Sequence, residues 1–366
     1  MSKYHEFRLR PHQLVLFILV LVLPNSAPAQ SSLGAEGPSP SRVDSIVTGL
    51  RARIVNPEQI SEARKTGFDL LRLARYQEAW NLFSAALVVA PNDARLMYGG
   101  ALALFNQQRI ADAEPLARAA VGASVRAREG LAKSREADAD VADALVLLGV
   151  VLAVKGDNAS ALEMVSQAAT IAPENFDAQF ALGRARYGAG NPTGAAASFR
   201  TALALRPDDA KAGFFLATAL ESASDYEGAL AAYRRLLDLH PRSADAHLGL
   251  GALLIKLGNA NTQDGIAELK RAIALNEDLY EAQITLGRAL IRVGRASEAI
   301  EHLRRAVALA PNNPEPHFQL AIAYRRTGRI AEARQETSIV QKIHATRRTG
   351  EVTNSGMSDI RPNKNE

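Results

Sequence analysis

The chain has 366 residues, and its 43 Lys and Arg against 39 Asp and Glu give a formal net charge of +4. This balance is too small to indicate nucleic-acid binding, and 47% hydrophobic residues exclude a wholly disordered chain. The absence of cysteine excludes disulfides, cysteine-based metal sites, thiol catalysis and a cysteine-linked lipid anchor. Because only 5% of the residues are aromatic, the core must be built mainly from Ala, Leu, Val and Ile, which favours closely packed helices.

Residues 1–29 are predicted to be a secretory signal. Lys3, Arg8 and Arg10 make the start positive, residues 14–23 are all apolar, and the segment ends in Ala-Pro-Ala, which suits a signal peptidase. As a helix, the apolar run spans about 15 Å, half of a hydrocarbon core of about 30 Å. Cleavage is therefore favoured over the alternative, an uncut membrane anchor. It would remove three basic residues and one acidic residue, which lowers the net charge to +2. We expect an exported chain, periplasmic or secreted.

Two segments flank the central part of the chain. Residues 30–59 begin with a stretch of Ser, Gly, Pro and Ala, followed by a short amphipathic segment. They predict a flexible leader and a short capping helix. Residues 348–366 are polar and lack apolar periodicity, so they predict a disordered tail.

An internal repeat governs the chain between these segments. Pro173, Pro207 and Pro241 are 34 residues apart, and each follows an apolar helix end. A Leu-Gly or Leu-Ala pair recurs in phase upstream of each helix end. In most units a turn glycine lies between this pair and the helix end. This phase predicts a helix, a turn and a second helix in every unit. The pairs begin at Leu148, Leu182, Leu216, Leu250, Leu286 and Leu320, and the turn glycines are Gly156, Gly190, Gly258, Gly294 and Gly328.

This pattern resembles the tetratricopeptide repeat family, whose 34-residue unit is helix A, turn, helix B. The resemblance covers residues 60–347 in eight repeats, with a charged insertion at 128–141 that is expected to lengthen helix B of the second repeat. It implies an all-α fold, a tetratricopeptide-type right-handed superhelical solenoid of about eight helix-turn-helix repeats. Positions are numbered from the first residue of each repeat, which is residue 60, 94, 142, 176, 210, 244, 280 or 314.

Motifs for catalysis, cofactors or metals are missing from the sequence. There is no His-Glu-x-x-His pair, phosphate loop or nucleophile elbow. His247 and His317 occupy the same early slot of helix A, so packing or solvent contact is expected rather than metal ligation. Asp208 and Asp209 follow Pro207 and are expected to cap a helix. We therefore predict no enzyme activity, no cofactor and no metal.

The family resemblance also implies a binding site. In that family helix A lines a concave face, and its positions two, five, nine and twelve set specificity. Aromatic residues flanked by arginines suit an extended or helical peptide with acidic groups or a free carboxylate. The alternative for any one of them is that the aromatic ring packs between helices and the arginine is solvated. The candidates are Tyr98, Leu102, Phe105, Phe180, Arg184, Tyr187, Lys211, Phe214, Thr218, Ile284, Arg288, Ile291, Phe318, Ile322 and Arg325, with Arg292 and Arg326 beside them.

The sequence therefore predicts an exported, non-enzymatic scaffold or adaptor that binds a protein or peptide in a bacterial cell envelope. One alternative is a periplasmic assembly chaperone for envelope or secretion machinery. Another is an accessory subunit of an enzyme complex. Nucleic acid is not an expected partner, no stable membrane anchor is expected after signal cleavage, and the oligomeric state stays open.

Overall fold

The computed structural model describes residues 56–130, 134–258 and 260–356. The predicted signal at 1–29 lies outside the described residues, as does the leader up to residue 55. Every regular element of the described part is an α-helix, and the all-α prediction is confirmed. This follows from the apolar spacing of the repeats, which matches the helical period of 3.6 residues.

The helices alternate between helix A and helix B, so that odd-numbered helices are A helices and even-numbered helices are B helices. Each A helix and the following B helix form one of eight hairpins in the described residues. The helices are α1 (Pro57–Arg72), α2 (Tyr76–Val89), α3 (Ala94–Asn106), α4 (Ile110–Gly130), α5 (Arg135–Val154), α6 (Asn158–Ile171), α7 (Phe176–Gly188), α8 (Pro192–Leu205), α9 (Ala210–Ser222), α10 (Tyr226–Leu239), α11 (Ala244–Leu257), α12 (Asn261–Leu275), α13 (Tyr280–Arg292), α14 (Ala296–Leu309), α15 (Pro314–Arg326) and α16 (Ile330–Gly356).

The chain divides into two compact units, and the division falls within α9, between Phe215 and Leu216. In the first unit, α1 packs on α3, α3 on α5 and α5 on α7. In the second unit, α11 packs on α13 and α13 on α15. Neighbouring A helices therefore lie side by side in each unit, and each also packs on its own B helix. This places corresponding positions of successive A helices next to one another.

Glycine in the Leu-Gly pair allows helix B to approach helix A closely. A Cβ atom added to Gly183 would lie 2.6 Å from Cε1 of Phe199, and one added to Gly287 would lie 2.5 Å from Cδ2 of Leu303. Phe199 and Leu303 are fully buried residues of helix B. The large side chain thus occupies the space that the missing side chain leaves, as the repeat pattern predicts.

The turns between helix A and helix B require a left-handed backbone. All five predicted turn glycines have positive φ, and Gly156 and Gly190 have values of 88° and 75°. Three turns lack the glycine, and there Ala74, Gln108 and Ser224 take φ values of 56°, 63° and 64°. The turn geometry is therefore retained even where the sequence signal is missing. In the A helix that follows Pro207, the Asp209 carboxylate accepts a hydrogen bond from the Ala212 amide at 2.7 Å, which confirms the predicted cap.

The charged insertion at 128–141 extends two helices rather than chiefly helix B of the second repeat. Helix α4 ends at Gly130, and α5 already begins at Arg135, seven residues before the third repeat. The Ser134 hydroxyl accepts a hydrogen bond from the Ala137 amide and caps α5. Because Val141 of this extension is fully buried, the added turns gain packing that the sequence pattern did not indicate.

The tail differs from the prediction in its first part. Helix α16 continues to Gly356, so residues 348–356 are helical, whereas disorder was predicted for 348–366. A helix that is already formed gains one backbone hydrogen bond for each residue added, and no proline interrupts it before Gly356. Residues 357–366 lie outside the described part of the chain.

Leucine at the seam glycines is expected to destabilise the protein. Gly183→Leu or Gly287→Leu would overpack the contact with Phe199 or Leu303 and cost about 1–3 kcal/mol. Thermal unfolding followed by circular dichroism measures the loss. Gly188→Leu is the matched control, because a Cβ added at Gly188 would meet no atom within 4 Å. A Gly183→Leu protein that melted at the wild-type temperature would contradict the assigned register.

Candidate functional site

Five phenylalanine rings contact one another in α7, α8 and α9 of the first unit. Phe180 lies at the centre, with ring centroids 5.8 Å from Phe176, 5.6 Å from Phe199 and 5.6 Å from Phe215. Phe214 meets Phe215 edge-on at 6.1 Å. Phe180 and Phe214, the two predicted contact residues, are half-buried. Part of each predicted contact ring is therefore occupied by packing within the protein.

Arg184 lies against this aromatic cluster. Its guanidinium carbon is 5.8 Å from the centre of the Phe215 ring, and burial lowers the pKa of Arg184 to about 10. The side chain therefore stays charged at neutral pH in a poorly hydrated position. Tyr187, one helical turn further along α7, is half-buried.

The predicted contacts of the second repeat lie deeper in the protein. Phe105 is only 6% exposed and packs in the core with Leu104 and Val151. Tyr98 is half-buried, and its ring centroid is 6.2 Å from that of Phe68. At these two positions the structure favours the alternative in which the ring packs between helices.

Two acidic residues at position two of helix A were not among the candidates. Asp143 in α5 accepts a hydrogen bond from Nδ2 of Asn175 at 2.9 Å, and burial raises the pKa of Asp143 to about 6. Burial also raises the pKa of Asp177 in α7, against the opposing effect of Arg206 at 3.8 Å. The spacing of the repeat could have found both, since the family pattern includes position two.

Two of the arginines of the second unit connect successive A helices. The Arg292 guanidinium in α13 donates a hydrogen bond to the backbone carbonyl of Ile255 in α11 at 2.8 Å. Arg326 in α15 donates in the same way to the carbonyl of Ile291 in α13. Each cation lies at the C-terminal end of the preceding A helix, where the helix dipole favours positive charge. Arg292 and Arg326 therefore hold neighbouring repeats together.

Arg288 and Arg325 behave differently. Both are exposed, and neither has a hydrogen bond or an ion pair with any residue that the structure describes. Phe318, on α15 with Arg325, is 48% exposed and is the only exposed phenylalanine in the described part of the chain, and Arg288 lies on α13, which packs on α15. Ile322 lies half-buried one turn after Phe318 and packs on the core. We call Arg288, Phe318, Ile322 and Arg325 the Phe318 patch.

The remaining candidates are spread over different environments. Ile284 and Ile291 are buried in the core of the second unit, and Leu102 is half-buried in the core of the first. The hydroxyl of Thr218 lies 3.5 Å from that of Tyr233, and Lys211 is exposed. None of these five side chains belongs to the Phe318 patch.

No group of three or more His, Asp and Glu residues is arranged to hold a metal ion within residues 56–130, 134–258 and 260–356. In the same ranges, no helix combines the length and the apolar character that a membrane crossing requires.

Comparison with known proteins shows what the chain resembles. A family model described as "Tetratricopeptide repeat" matches residues 66–125, 180–244, 216–260 and 254–314, and a second model with this description matches residues 290–347. No curated protein sequence matches the chain.

Solved structures match about half of the chain. The MamA protein is 21% identical over 48% of this chain and 96% of its own, with a TM-score of 0.44. YrrB, titled a protein "with an unusual peptide-binding site", is 20% identical over 50% of this chain and 93% of its own, with a TM-score of 0.42. PilF of Pseudomonas aeruginosa is 16% identical over 58% of this chain and 94% of its own, with a TM-score of 0.49.

Asp143 is expected to make stability depend on pH. Because its pKa in the folded protein is about 6, above its ordinary value, the folded protein binds a proton that the unfolded chain has lost. The resulting stability is present at about pH 4 and is lost as the pH rises through 6. Asp143→Asn keeps an oxygen for Asn175 without a charge, so at pH 7 this variant should be more stable than wild type by up to about 3 kcal/mol.

Denaturant unfolding at pH 4 and pH 7 measures this difference. Asp245→Asn is the matched control, since Asp245 holds position two of α11 and is exposed. A gain of stability at pH 7 that appears equally in both variants would contradict the assignment to Asp143.

Proposed function

We propose that this chain, which belongs to the tetratricopeptide repeat family, is a non-enzymatic scaffold that binds a peptide segment of a partner protein on the Phe318 patch. The observation that carries the proposal is the exposed Phe318, with exposed Arg325 on the same helix and exposed Arg288 on the helix packed against it, neither arginine being hydrogen-bonded or ion-paired to a described residue. Tetratricopeptide repeat proteins generally act as interaction modules. The name of the YrrB structure, with its peptide-binding site, agrees with this kind of function.

The Phe318 patch combines an apolar contact with two charges of the same sign. Phe318 and Arg325 are seven residues apart on α15, so they lie on one side of the helix about 10 Å apart along its axis. Arg288 lies on α13, which packs directly on α15. An apolar side chain of a partner can cover the Phe318 ring while acidic groups on either side of it reach the two arginines.

The charges favour an acidic segment. A guanidinium presents a fixed fork of N–H donors that matches a carboxylate, and hydrogen bonds between charged groups are stronger than neutral ones. Arg292 and Arg326 add positive charge beside the patch, although both are engaged with backbone carbonyls. We therefore propose a partner segment with an apolar residue between Asp or Glu residues, or with an apolar residue close to a free C-terminal carboxylate.

The location of this scaffold also belongs to the proposal. The basic start, the apolar run and the Ala-Pro-Ala end of residues 1–29 support export, so we propose binding to a partner in the cell envelope. An assembly chaperone would use the same surface but hold many clients weakly. The breadth of the peptides that bind distinguishes the two roles.

Selection from a random 12-residue peptide library tests the proposal. The wild-type chain lacking residues 1–29 should enrich peptides with an apolar residue flanked by acids. Arg288→Glu/Arg325→Glu should weaken the selected peptides by up to about 30-fold, because each exposed charge pair contributes up to about 1 kcal/mol. Phe318→Ala should weaken them as well. Fluorescence anisotropy at two salt concentrations measures the dissociation constants, and higher salt should weaken binding to the wild type.

Arg234→Glu/Arg235→Glu is the matched control. These two arginines are exposed on helix B (α10), have no partner among the described residues, and give the same change of charge. If the control weakened the peptides as much as Arg288→Glu/Arg325→Glu, binding would depend on general charge and the Phe318 patch would not be the site. Enrichment of unrelated peptides with equal, weak affinity would favour the chaperone role.

A further inference from the structure

Acidic side chains occupy position two in every A helix that lies wholly in the second unit. They are Asp245 in α11, Glu281 in α13 and Glu315 in α15, and we call them the acidic row. Asp245 and Glu281 are exposed, and Glu315 is half-buried. The Glu315 carboxylate accepts a hydrogen bond from Nε2 of Gln319 at 2.9 Å. None of the three acids has an ion pair with a cation that the structure describes.

The hydroxyl of Tyr280 indicates that acids of neighbouring helices lie close together. Nδ2 of Asn313, the N-cap of α15, donates to this hydroxyl at 2.8 Å. Burial, and then the charges of Glu281 and Glu315, raise the pKa of Tyr280 to about 12. Carboxylates from α13 and α15 therefore act on one phenol, as the side-by-side packing of the A helices requires.

Basic side chains lie toward the other end of the same helices. Each helix carries one at position thirteen, and two arginines precede these at positions nine and twelve. All five side chains are exposed. Positions two, five, nine, twelve and thirteen fall within about 100° of one another around a helix, so the acids and the bases share one face. The basic row is Lys256, Arg288, Arg292, Arg325 and Arg326.

Apolar side chains lie between the two rows. Leu248 in α11 and Phe318 in α15 hold position five, and Ile322 holds position nine of α15. Leu248 and Ile322 are half-buried and pack on the core, whereas Phe318 is 48% exposed. Ile284, at position five of α13, is buried. The second unit thus presents an apolar band with negative charge along one edge and positive charge along the other.

Helix stability alone does not dictate this arrangement. The helix dipole favours acidic residues near the N-terminus of a helix and basic residues near its C-terminus. Position two of α3 and α9 nevertheless holds Arg95 and Lys211, and position thirteen of α7 and α9 holds Gly188 and Ser222. All of these helices form. An A helix therefore needs neither an acid at position two nor a base at position thirteen, and both rows can serve a partner.

The dimensions favour a helix as the bound segment. Position two lies ten or eleven residues before positions twelve and thirteen, so the ends of the two rows are about 15 Å apart. An α-helix with its side chains is about 10–12 Å across, so it fits between the rows and its charged side chains can reach both. Three A helices packed at about 8–10 Å cover roughly 20 Å, which is the length of about 13 helical residues.

We propose that the partner segment is an amphipathic α-helix that lies across α11, α13 and α15. Its apolar stripe covers Phe318, a flank of basic residues faces the acidic row, and a flank of acidic residues faces the basic row. This proposal rests on the proposed function, because it specifies the partner of the same surface. A helix with the two flanks exchanged can bind in the opposite direction, so the order of the charges sets the direction of the partner.

Three helical peptides of about 14 residues with the same leucine stripe test the proposal. The bipolar peptide has Glu on one flank and Lys on the other, the acidic peptide has Glu on both, and the basic peptide has Lys on both. Wild type should bind the bipolar peptide about fivefold to 30-fold more tightly than either of the others, because each of those loses one or two exposed ion pairs. Fluorescence anisotropy measures the dissociation constants.

Asp245→Lys/Glu281→Lys should reverse this preference, so that the acidic peptide binds more tightly than the bipolar peptide. Glu227→Lys/Asp264→Lys is the matched control. All four acids are exposed in the first turn of a helix, but Glu227 and Asp264 belong to the B helices α10 and α12. The control should keep the wild-type order of the three peptides.

A bipolar peptide with proline at a central, outward-facing position tests the helical conformation. It should bind at least about tenfold more weakly, since proline breaks a helix. Wild-type binding of the acidic, basic or proline peptide that is as tight as binding of the bipolar peptide would overturn the proposal. So would an unchanged order of the peptides for Asp245→Lys/Glu281→Lys. In each case the proposed function stands if Phe318→Ala weakens the acidic peptide, whereas it fails if Phe318→Ala weakens none of the peptides.

Discussion

Close approach of helix A and helix B at a position without a side chain is the contact on which the rest of this structure depends. At Gly183 the Phe199 ring fills the space that a Cβ would need, and at Gly287 the Leu303 side chain does so. This contact fixes the rotation of an A helix about its axis, since only one face can bring the small residue against helix B; in α15 that residue is the buried Ala321. The positions that remain exposed on helix A follow from that rotation, and they include Phe318 and Arg325.

Polar side chains also form hydrogen bonds within the same hairpins. Position four satisfies the carbonyl of the turn before helix A through Gln179, His247, Gln283 or His317. Among the eight repeats, only these four have a side-chain donor at position four. Glutamine and histidine both provide one, but histidine also brings a second nitrogen. That nitrogen lies against a glutamate of helix B, Glu268 for His247 and Glu336 for His317.

The arginines of the second unit show how similar residues take different roles on one surface. Arg292 and Arg326 donate to carbonyls of the preceding A helix, whereas Arg288 and Arg325 have no hydrogen bond or ion pair among the described residues. The first pair connects repeats, and the second pair leaves two donors exposed beside Phe318. Removing one of the connecting arginines would disturb the packing as well as the charge. For this reason the binding proposal rests on Arg288 and Arg325.

The repeating spacing of glycine, leucine and proline determined the helices, their turns and the seam between them, because these depend on contacts within about 34 residues that recur in phase. It also identified the exposed candidates Arg288, Phe318 and Arg325. The tertiary structure alone decided that Phe105 is buried, that Arg292 binds the Ile255 carbonyl, and that α5 begins before its repeat. The physical reason is that a side chain's partner depends on which atoms the neighbouring repeat brings within hydrogen-bond distance, and residue type and periodicity do not specify that distance.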